Sequence, residues 1–287
     1  MNNMQLWLES SSQSINLNDN ENGFYLQPDL EGLTGLPEIR TSSGVNAGAD
    51  GGWTSAQFYD ARIISINGLI VDTNVSQLEA KRKELVSVVS QGRYNPITLR
   101  FVTDGGNVYS LQVRVTAVSM NLKQILSTQE YLIQLRADDP VIYEDPSASS
   151  TEAIIHVQQA LGGFEIPFEF PLVIGGGSDS TVVSNLGTET VYPVITLYGP
   201  LKSPTVVNKT TNQQFQIIAD LSSGDKVVID SQLRSVSYNG QNAYYLKADG
   251  SEFISLAPGN NVMFLTSAQT SDGGYAGVKF KGGHLTI

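Results

Sequence analysis

The sequence predicts a mainly β protein with two domains, an α+β N-terminal domain with one helix and an antiparallel β-sandwich in the C-terminal half. Three observations lead to this fold class. Short segments in which apolar and polar residues alternate recur along most of the chain, as in half-buried strands. One segment has the spacing of an amphipathic helix. A polar stretch of small residues and one proline, residues 144–152, separates the halves as a linker does.

The helix is predicted over residues 77–91. Ser76 and Glu79 form a capping box at its start, and Gly92 can take the left-handed position that ends many helices. The apolar stripe consists of Leu78, Leu85, Val86 and Val89. This helix belongs to the first domain, whose remaining elements are predicted as strands.

A hairpin follows the helix. Residues 97–102 and 108–118 alternate between β-branched and polar residues on either side of the turn at residues 103–107. Residues 131–135 alternate in the same way. We place the end of this domain at residue 145, so the predicted domains are 1–145 and 146–287.

The second domain has short strand-like segments at the spacing of a β-sandwich. They are predicted at 182–184, 191–198, 214–218, 226–230, 233–238, 243–247, 252–256, 262–266 and 276–281. Asn239 and Gly240 suit a type I′ turn, and Pro258 and Gly259 form a corner before a buried strand. Two packed antiparallel sheets account for this pattern.

Composition excludes several classes of function. The chain has 287 residues, no cysteine, two histidines and a net charge of −11. Thiolate catalysis and cysteine-based metal sites are therefore excluded, and no metal or cofactor is expected. An excess of acidic residues in each half opposes binding to a phosphate backbone, so we expect no specific nucleic-acid binding. No apolar segment is long enough to span a membrane, and none at the N-terminus resembles a signal peptide.

The patterns that could carry catalysis or bind ions are weak, and we predict that the chain is not an enzyme. Glu165 and Glu169 would lie about 13 Å apart along a strand, beyond the spacing of glycosidase carboxylates. The glycines at 175–177 have no lysine or helix after them that would hold a phosphate. Residues 18–29 match a calcium loop poorly. His156 and His284 have no partner at a catalytic spacing.

The segment 42–57 is predicted to be a long glycine-rich loop that contains Trp53. Long loops within compact domains are usually functional, and aromatic anchors are frequent at interface hot spots. Charged residues make up only 16% of the whole chain, which fits a protein with much of its surface in assembly contacts. An interface role for this loop is therefore favoured over a packing role for Trp53.

The order of motifs resembles the distal tail proteins (Dit) of long, flexible-tailed bacteriophages. In the first half the resemblance rests on residues 32–40 (GLTGLPEIR), 50–52 (DGG), 61–68 (ARIISING), 96–101 (PITLRF) and 139–143 (DPVIY), together with the helix. In the second half it rests on 185–187 (NLG), 191–195 (VYPVI), 229–230 (ID) and 256–261 (LAPGNN). Each motif is loose, but the order and spacing extend over nearly the whole chain.

The resemblance implies a structural protein of the phage tail tip or baseplate, located in the virion and in the host cytoplasm during assembly. The first domain would form a hub ring of six identical subunits that lets DNA pass, and the second would be galectin-like. Its partners would be the tail tube protein and a tail-associated, fibre or receptor-binding protein. The candidate interface residues are Trp53, Gly51, Gly52, Arg40 and Arg62.

An alternative is a carbohydrate-binding baseplate module that contacts the host surface. The second half has no tryptophan to stack on a sugar, which leaves Tyr238, Tyr244 and Tyr245 as candidates. Cross-strand packing is the simpler role for these rings.

Overall fold

The structure, a computed structural model, describes residues 4–121, 127–145, 152–157, 180–268 and 273–287. The chain divides into two compact units, Met1–Asp145 with His284–Ile287, and Pro146–Gly283. The sequence placed residues 284–287 in the second domain, whereas the structure places them in the first unit. Glu165, Glu169 and the glycines at 175–177 lie outside the described residues.

The first unit is an antiparallel β structure with one α-helix among its described residues. Its elements are β1 (Gln5–Glu9), β2 (Ser14–Asn16), β3 (Phe24–Glu31), β4 (Ile39–Arg40), β5 (Ser43–Val45), β6 (Gly52–Thr54), β7 (Phe58–Tyr59), β8 (Arg62–Val71), α1 (Val75–Gln91), β9 (Ile97–Val102), β10 (Val108–Asn121), β11 (Thr128–Ala137) and β12 (Ile142–Glu144). The main sheet has the order β2-β1-β9-β10-β11-β8-β3, and β12 pairs with β10. The mainly β fold class is thus confirmed.

Strand β10 is longer than its partners and joins two parts of the sheet. Its first half, from Val108 to Val113, pairs with β9, and its second half, from Arg114 to Asn121, pairs with β11. The register shifts between Val115 and Ala117, as at a β-bulge. The second half of β10 and strand β3 are therefore the two edges of a four-stranded sheet, β10-β11-β8-β3.

The core of the first unit follows from alternation along these strands. In β8 and β9 every second side chain is buried, and Ile64, Ile66, Leu99 and Phe101 have no exposed surface. Side chains alternate between the two faces of a strand, so a shift of one residue would turn these buried side chains to the other face. The alternation therefore specifies the register of the strands in this sheet.

Helix α1 ends at Gln91 as predicted, but its start and both of its caps differ from the prediction. It begins at Val75, and Asn74 is the N-cap, with its Oδ1 accepting from Ser76 N at 2.9 Å. The predicted capping box at Ser76 is therefore wrong, because Ser76 is already helical. Gly92 has φ −63° and ψ −9°, so it is not left-handed. Val88 is buried and Val86 is 45% exposed, so the buried stripe of the helix contains Val88 in place of the predicted Val86.

The second unit contains two larger antiparallel sheets and a two-stranded one. Its elements are β13 (Ala153–His156), β14 (Thr181–Asn185), β15 (Val194–Tyr198), β16 (Leu201–Lys202), β17 (Thr205–Asn208), β18 (Gln213–Gln216), β19 (Asp220–Leu221), β20 (Lys226–Asp230), β21 (Ser235–Tyr238), β22 (Gln241–Asn242), β23 (Gly259–Thr266) and β24 (Tyr275–Lys279), and β25 (Gly283–His284) leads back to the first unit. The sheet orders are β13-β24-β15-β20-β21-β22, β14-β23-β17-β18 and β16-β19.

Two strands predicted in this unit are not formed. Residues 244–246 form a 3₁₀ helix, and residues 252–256 form no strand apart from a single bridge between Leu256 and Val191. Side-chain amides replace the missing ladder: Gln213 Oε1 accepts from Ser255 N, and Asn208 Nδ2 donates to Ser255 O, both at 2.8 Å. These two bonds satisfy the backbone of Ser255 without a neighbouring strand.

Candidate interface of the first unit

Residues 38–60 form a β-hairpin, called the arm below, where the sequence predicted a loop. Pairing begins where Asp60 N donates to Glu38 O at 2.7 Å and ends where Asn46 N donates to Gly51 O at 3.1 Å. Between these ends the aligned pairs are Ile39 with Tyr59, Arg40 with Phe58, Ser43 with Thr54, Gly44 with Trp53 and Val45 with Gly52. Among the described residues, the four arm strands pair only with one another.

The arm exposes large apolar side chains. Val45 is 86% exposed, Phe58 59%, Trp53 52% and Ile39 51%. A two-stranded ribbon is marginal in water unless it packs on something else. Apolar side chains grouped on such a ribbon indicate a surface that a partner covers.

The glycines of the arm have backbone roles. Gly51 has φ +93°, a conformation that glycine adopts without strain, and it lies at the hairpin tip. A Cβ on Gly52 would lie 2.6 Å from Gly44 O, and a Cβ on Gly44 would lie 2.9 Å from Trp53 Nε1. The indole therefore lies against Gly44 across the strand pair. The candidates Gly51 and Gly52 shape the arm, and Trp53 is one of its exposed side chains.

Arg40 and Arg62 lie in different environments. Arg40 is exposed on the arm, as an interface residue would be. Arg62 is 1% exposed and follows the arm at the start of β8. Its guanidinium donates to four carbonyl oxygens: Pro140 O at 2.9 Å, Gly35 O at 2.9 Å, Leu285 O at 2.6 Å, and Gly32 O. Burial lowers the pKa of Arg62. The structure therefore gives Arg62 a role inside the unit, at the base of the arm.

Residues 284–287 complete this base. Leu285 is buried, and Thr286 Oγ1 donates to Thr34 O at 2.9 Å. His284 Nε2 lies 2.9 Å from Glu144 Oε1, and its ring meets Tyr109 edge-on at 5.6 Å between centroids. His284 is thus a structural residue. Sequence reasoning missed this return because Arg62 and Leu285 are more than two hundred positions apart.

The edges of the four-stranded sheet are a second feature that sequence reasoning missed. The second half of β10 pairs on one side with β11, and β3 pairs on one side with β8. Among the described residues no strand covers the other sides. The predicted strand lengths could have indicated the open edge of β10. The strand predicted over 108–118 is longer than its hairpin partner over 97–102, so part of it must lie beyond that partner. Open edges of this kind are templates for pairing with another chain.

The tyrosines of the second unit differ in exposure. Tyr238 is half-buried, and its hydrogen bond to Asp225 raises the pKa of the phenol. Tyr244 and Tyr245 lie on the 3₁₀ helix and are 50% and 80% exposed. The ring of Tyr244 lies 6.4 Å from that of Phe253. Two of the three candidate sugar-stacking rings are therefore accessible.

Within the described ranges, no helix has the length and apolarity needed to cross a membrane. The same ranges contain no group of three or more His, Cys, Asp or Glu residues placed to hold a metal ion. The segment tested against a calcium loop is a polar turn, in which Asp19 Oδ1 and Oδ2 accept from the backbone N and side-chain Nδ2 of Asn22.

Comparison with known proteins first gives a match to a family model in the second half of the chain. Residues 186–281 match the family model of the siphovirus-type tail component, C-terminal domain. A comparison with curated proteins finds no match.

Comparison with solved structures then gives a particular relative. The chain is similar to the crystal structure of Dit (gp 19.1) of phage SPP1, with a TM-score of 0.69 and 14% identity, over 98% of each chain. A chain in the baseplate of phage p2 in its activated conformation with Sr is similar at a TM-score of 0.49 and 10% identity, over 97% of this chain and 98% of that one. The predicted resemblance to the distal tail proteins is thus confirmed by the family model and by the fold of SPP1 Dit.

Proposed function

We propose that this chain is a structural subunit of a siphophage tail tip, and that six copies form a hub ring joining the tail tube to the adsorption apparatus. The observation that carries the proposal is the match to SPP1 Dit over 98% of both chains. That protein is described as a paradigm of the hub adsorption apparatus of phages that infect Gram-positive hosts. The tail tube protein and a fibre or receptor-binding protein are the proposed partners, and the chain has no catalytic role in this assembly.

The open sheet edges support ring closure. A ring needs two different surfaces on each subunit, so that each copy binds the next in the same way. The second half of β10 and strand β3 are two such surfaces, on opposite sides of one sheet. Pairing the β10 edge of one copy with the β3 edge of the next would continue the sheet around the ring. Pro28 in β3 fits an edge position, because proline cannot donate to a ladder.

The charges on this sheet support passage of DNA without binding. Arg114 and Arg136 are cross-strand neighbours, and both guanidiniums lie near Asp138, at 3.8 Å and 2.9 Å. Affinity for DNA grows with the number of phosphates that basic residues neutralise. A lumen lined by this face would offer basic groups that are already paired, within a chain of net charge −11.

A matched pair of variants tests ring closure through the edge. Val118 lies in the second half of β10 and is 39% exposed, and Val86 lies on α1 and is 45% exposed. A lysine at an edge opposes pairing between chains. We expect Val118→Lys to lower the fraction of six-subunit species at least tenfold in sedimentation velocity, with Val86→Lys unchanged. Equal assembly of both variants would contradict edge pairing, and a monomeric wild-type chain would contradict the ring itself.

A second candidate function is carbohydrate binding by the second unit. The observation that favours it is the exposure of Tyr244 and Tyr245 on one short helix. Aromatic rings that expose an apolar face can stack on a sugar. A glycan array with wild-type protein and Tyr245→Ala tests it. Specific hits that disappear in the variant would support sugar binding, and an array without hits would contradict it.

A further inference from the structure

Strand β2 has an open edge. It ends the main sheet, and among the described residues β1 is the only strand that pairs with it. Just beyond β2, Leu17 N donates to Leu6 O at 2.7 Å. Residues that bond to the partner strand alternate along an antiparallel ladder with residues that do not. The backbone N–H and C=O groups of Ser14 and Asn16 therefore point away from β1, towards the open side.

A cleft of about 360 Å³ lies beside this strand. All three residues of β2 line it, and the opposite wall includes Lys81 and Glu84 of α1. Ile15 and Phe24, which are 4% and 3% exposed, supply apolar surface, and the half-buried Trp7 lies at the same cleft. An open strand edge is a template for a further strand, and a cleft beside it gives room for the side chains of that strand.

The charges of the cleft favour a basic occupant. Lys81 Nζ already pairs with Asp72 Oδ2 at 2.8 Å. Asp19, which also lines the cleft, accepts from the side chain and backbone of Asn22, and these hydrogen bonds lower the pKa of its carboxyl. Glu84 is exposed and forms no ion pair with the described residues. The cleft therefore presents two carboxylates, and its lysine is already neutralised.

We infer that this cleft binds an extended segment of a different protein, which adds to β2 as a further strand and directs a lysine or arginine towards Asp19 and Glu84. A different protein is the occupant because this chain is itself acidic, with 28 acidic and 17 basic residues. One copy supplies every residue that lines the cleft, so the inference does not depend on the proposed ring.

The length of β2 sets the size of the contact. Three residues at about 3.3 Å per residue give an edge about 10 Å long, which accommodates a segment of about three to five residues. So short a segment binds weakly by itself. It adds substantial strength where the partner is also held at a second place, because the two contacts then act together.

Trp7 reports directly on the cleft that it lines. Trp7 and Trp53 are the only tryptophans of the chain, so all measurements use the chain with Trp53→Phe, in which fluorescence comes from Trp7 alone. The probes are two synthetic peptides with blocked ends, the basic STKVKTS and the acidic STEVETS. They share the same strand-forming residues and differ only in the two charged positions.

Two variants separate the charge from the strand edge. Glu84→Gln removes one carboxylate of the cleft, and Glu79→Gln is its matched control, because Glu79 is exposed on the same helix and does not line the cleft. Ser14→Pro removes one outward N–H, and proline is tolerated at an edge where the N–H does not bond within the sheet. Circular dichroism checks that each variant keeps the wild-type melting curve.

Fluorescence titration measures the affinity of each peptide. We expect STKVKTS to bind at least tenfold more tightly than STEVETS, because the acidic peptide meets like charges. Glu84→Gln should weaken STKVKTS at least threefold, with Glu79→Gln unchanged, and Ser14→Pro should weaken it at least fivefold. Equal affinity for both peptides, or for STKVKTS in Glu84→Gln and Glu79→Gln, would contradict the basic occupant.

The remaining outcomes test strand addition and the cleft itself. If Ser14→Pro keeps the wild-type melting curve and binds STKVKTS as tightly as the parent chain, the segment does not add to β2 and the inference is wrong. A fluorescence signal that does not change up to about 1 mM STKVKTS would also overturn it. None of these results bears on ring formation, which sedimentation velocity measures separately.

Discussion

Arg62 holds the base of the arm, and its replacement by methionine tests that role. Methionine keeps most of the buried side-chain volume but donates no hydrogen bond. The change leaves the carbonyl groups of Gly32, Gly35, Pro140 and Leu285 without their donor. The expected result is a less stable first unit.

The magnitude follows from those contacts. A buried polar group left without a partner costs about 1–3 kcal/mol, and partial rehydration of four carbonyls brings the total to about 4 kcal/mol. Typical domains are stable by about 5–15 kcal/mol, so the variant remains folded at room temperature. For a unit of this size such a loss lowers Tm by about 8–16 °C.

Intrinsic tryptophan fluorescence is the assay, because Trp7 and Trp53 both lie in the first unit and the chain has no other tryptophan. Arg62→Lys keeps the charge but not the fork of donors, so its Tm is expected between those of wild type and Arg62→Met. Arg114→Met removes an exposed guanidinium and is expected to change stability by less than about 0.5 kcal/mol. If Arg62→Met loses the ring but melts as the wild type does, Arg62 is an interface residue, as the sequence predicted, and the present reasoning is wrong.

Three further predictions concern stability. Deleting residues 285–287 removes Leu285 O from Arg62 and uncovers apolar core, so the same fluorescence transition should fall by several degrees, and an unchanged transition would refute the role of the chain end. Tyr131 Oη is buried with no hydrogen-bond partner among the described residues, and burial raises the pKa of this phenol. The contribution of this phenol to the free energy of unfolding is therefore complete below about pH 10 and is lost as the pH rises further. Tyr131→Phe should be neutral or stabilising by about 1 kcal/mol, and it should reduce the fall in stability between pH 8 and pH 11 measured by urea unfolding. A destabilised variant would show that Tyr131 Oη has a hydrogen-bond partner. Asn261→Leu breaks four hydrogen bonds, to Ala257, Gly259 and Asn208, and should destabilise the second unit by about 3 kcal/mol in calorimetry, with the tryptophan transition unchanged.

Local patterns predicted much of the fold. The strand 97–102 is observed at the predicted residues, and its partner starts at Val108 as predicted. Asn239 and Gly240 have φ of 47° and 85°, as a type I′ turn requires. These features depend on a few neighbouring residues, and the information is contained in the segment itself.

The elements that the sequence did not predict correctly depend on residues distant in the chain, or on backbone pairing between strands whose side chains stay exposed. The arm pairs through its backbone while its side chains stay exposed, so no alternation marked residues 42–57 as strands. Residues 252–256 alternate as a strand would, yet the backbone of Ser255 is bonded by the side chains of Gln213 and Asn208, which are more than forty positions away in the chain. The capping-box pattern of Ser76 and Glu79 predicts a cap at Ser76, whereas the observed N-cap is Asn74.

The candidate site was predicted in part. Trp53 and Arg40 are exposed on the arm, so their interface role stays a prediction that the structure allows. Gly51 and Gly52 act through the shape of the backbone. For Arg62, sequence alone shows a charged residue at the start of an apolar strand, and only the fold supplies the four carbonyl groups that surround it.

The most direct test of the account is an electron cryomicroscopy reconstruction of the purified chain. The account predicts a closed ring of six copies in which the first units touch and the β10 edge of each copy pairs with the β3 edge of the next. A chain that stays monomeric at micromolar concentration, or a ring held together by the second units alone, would contradict it.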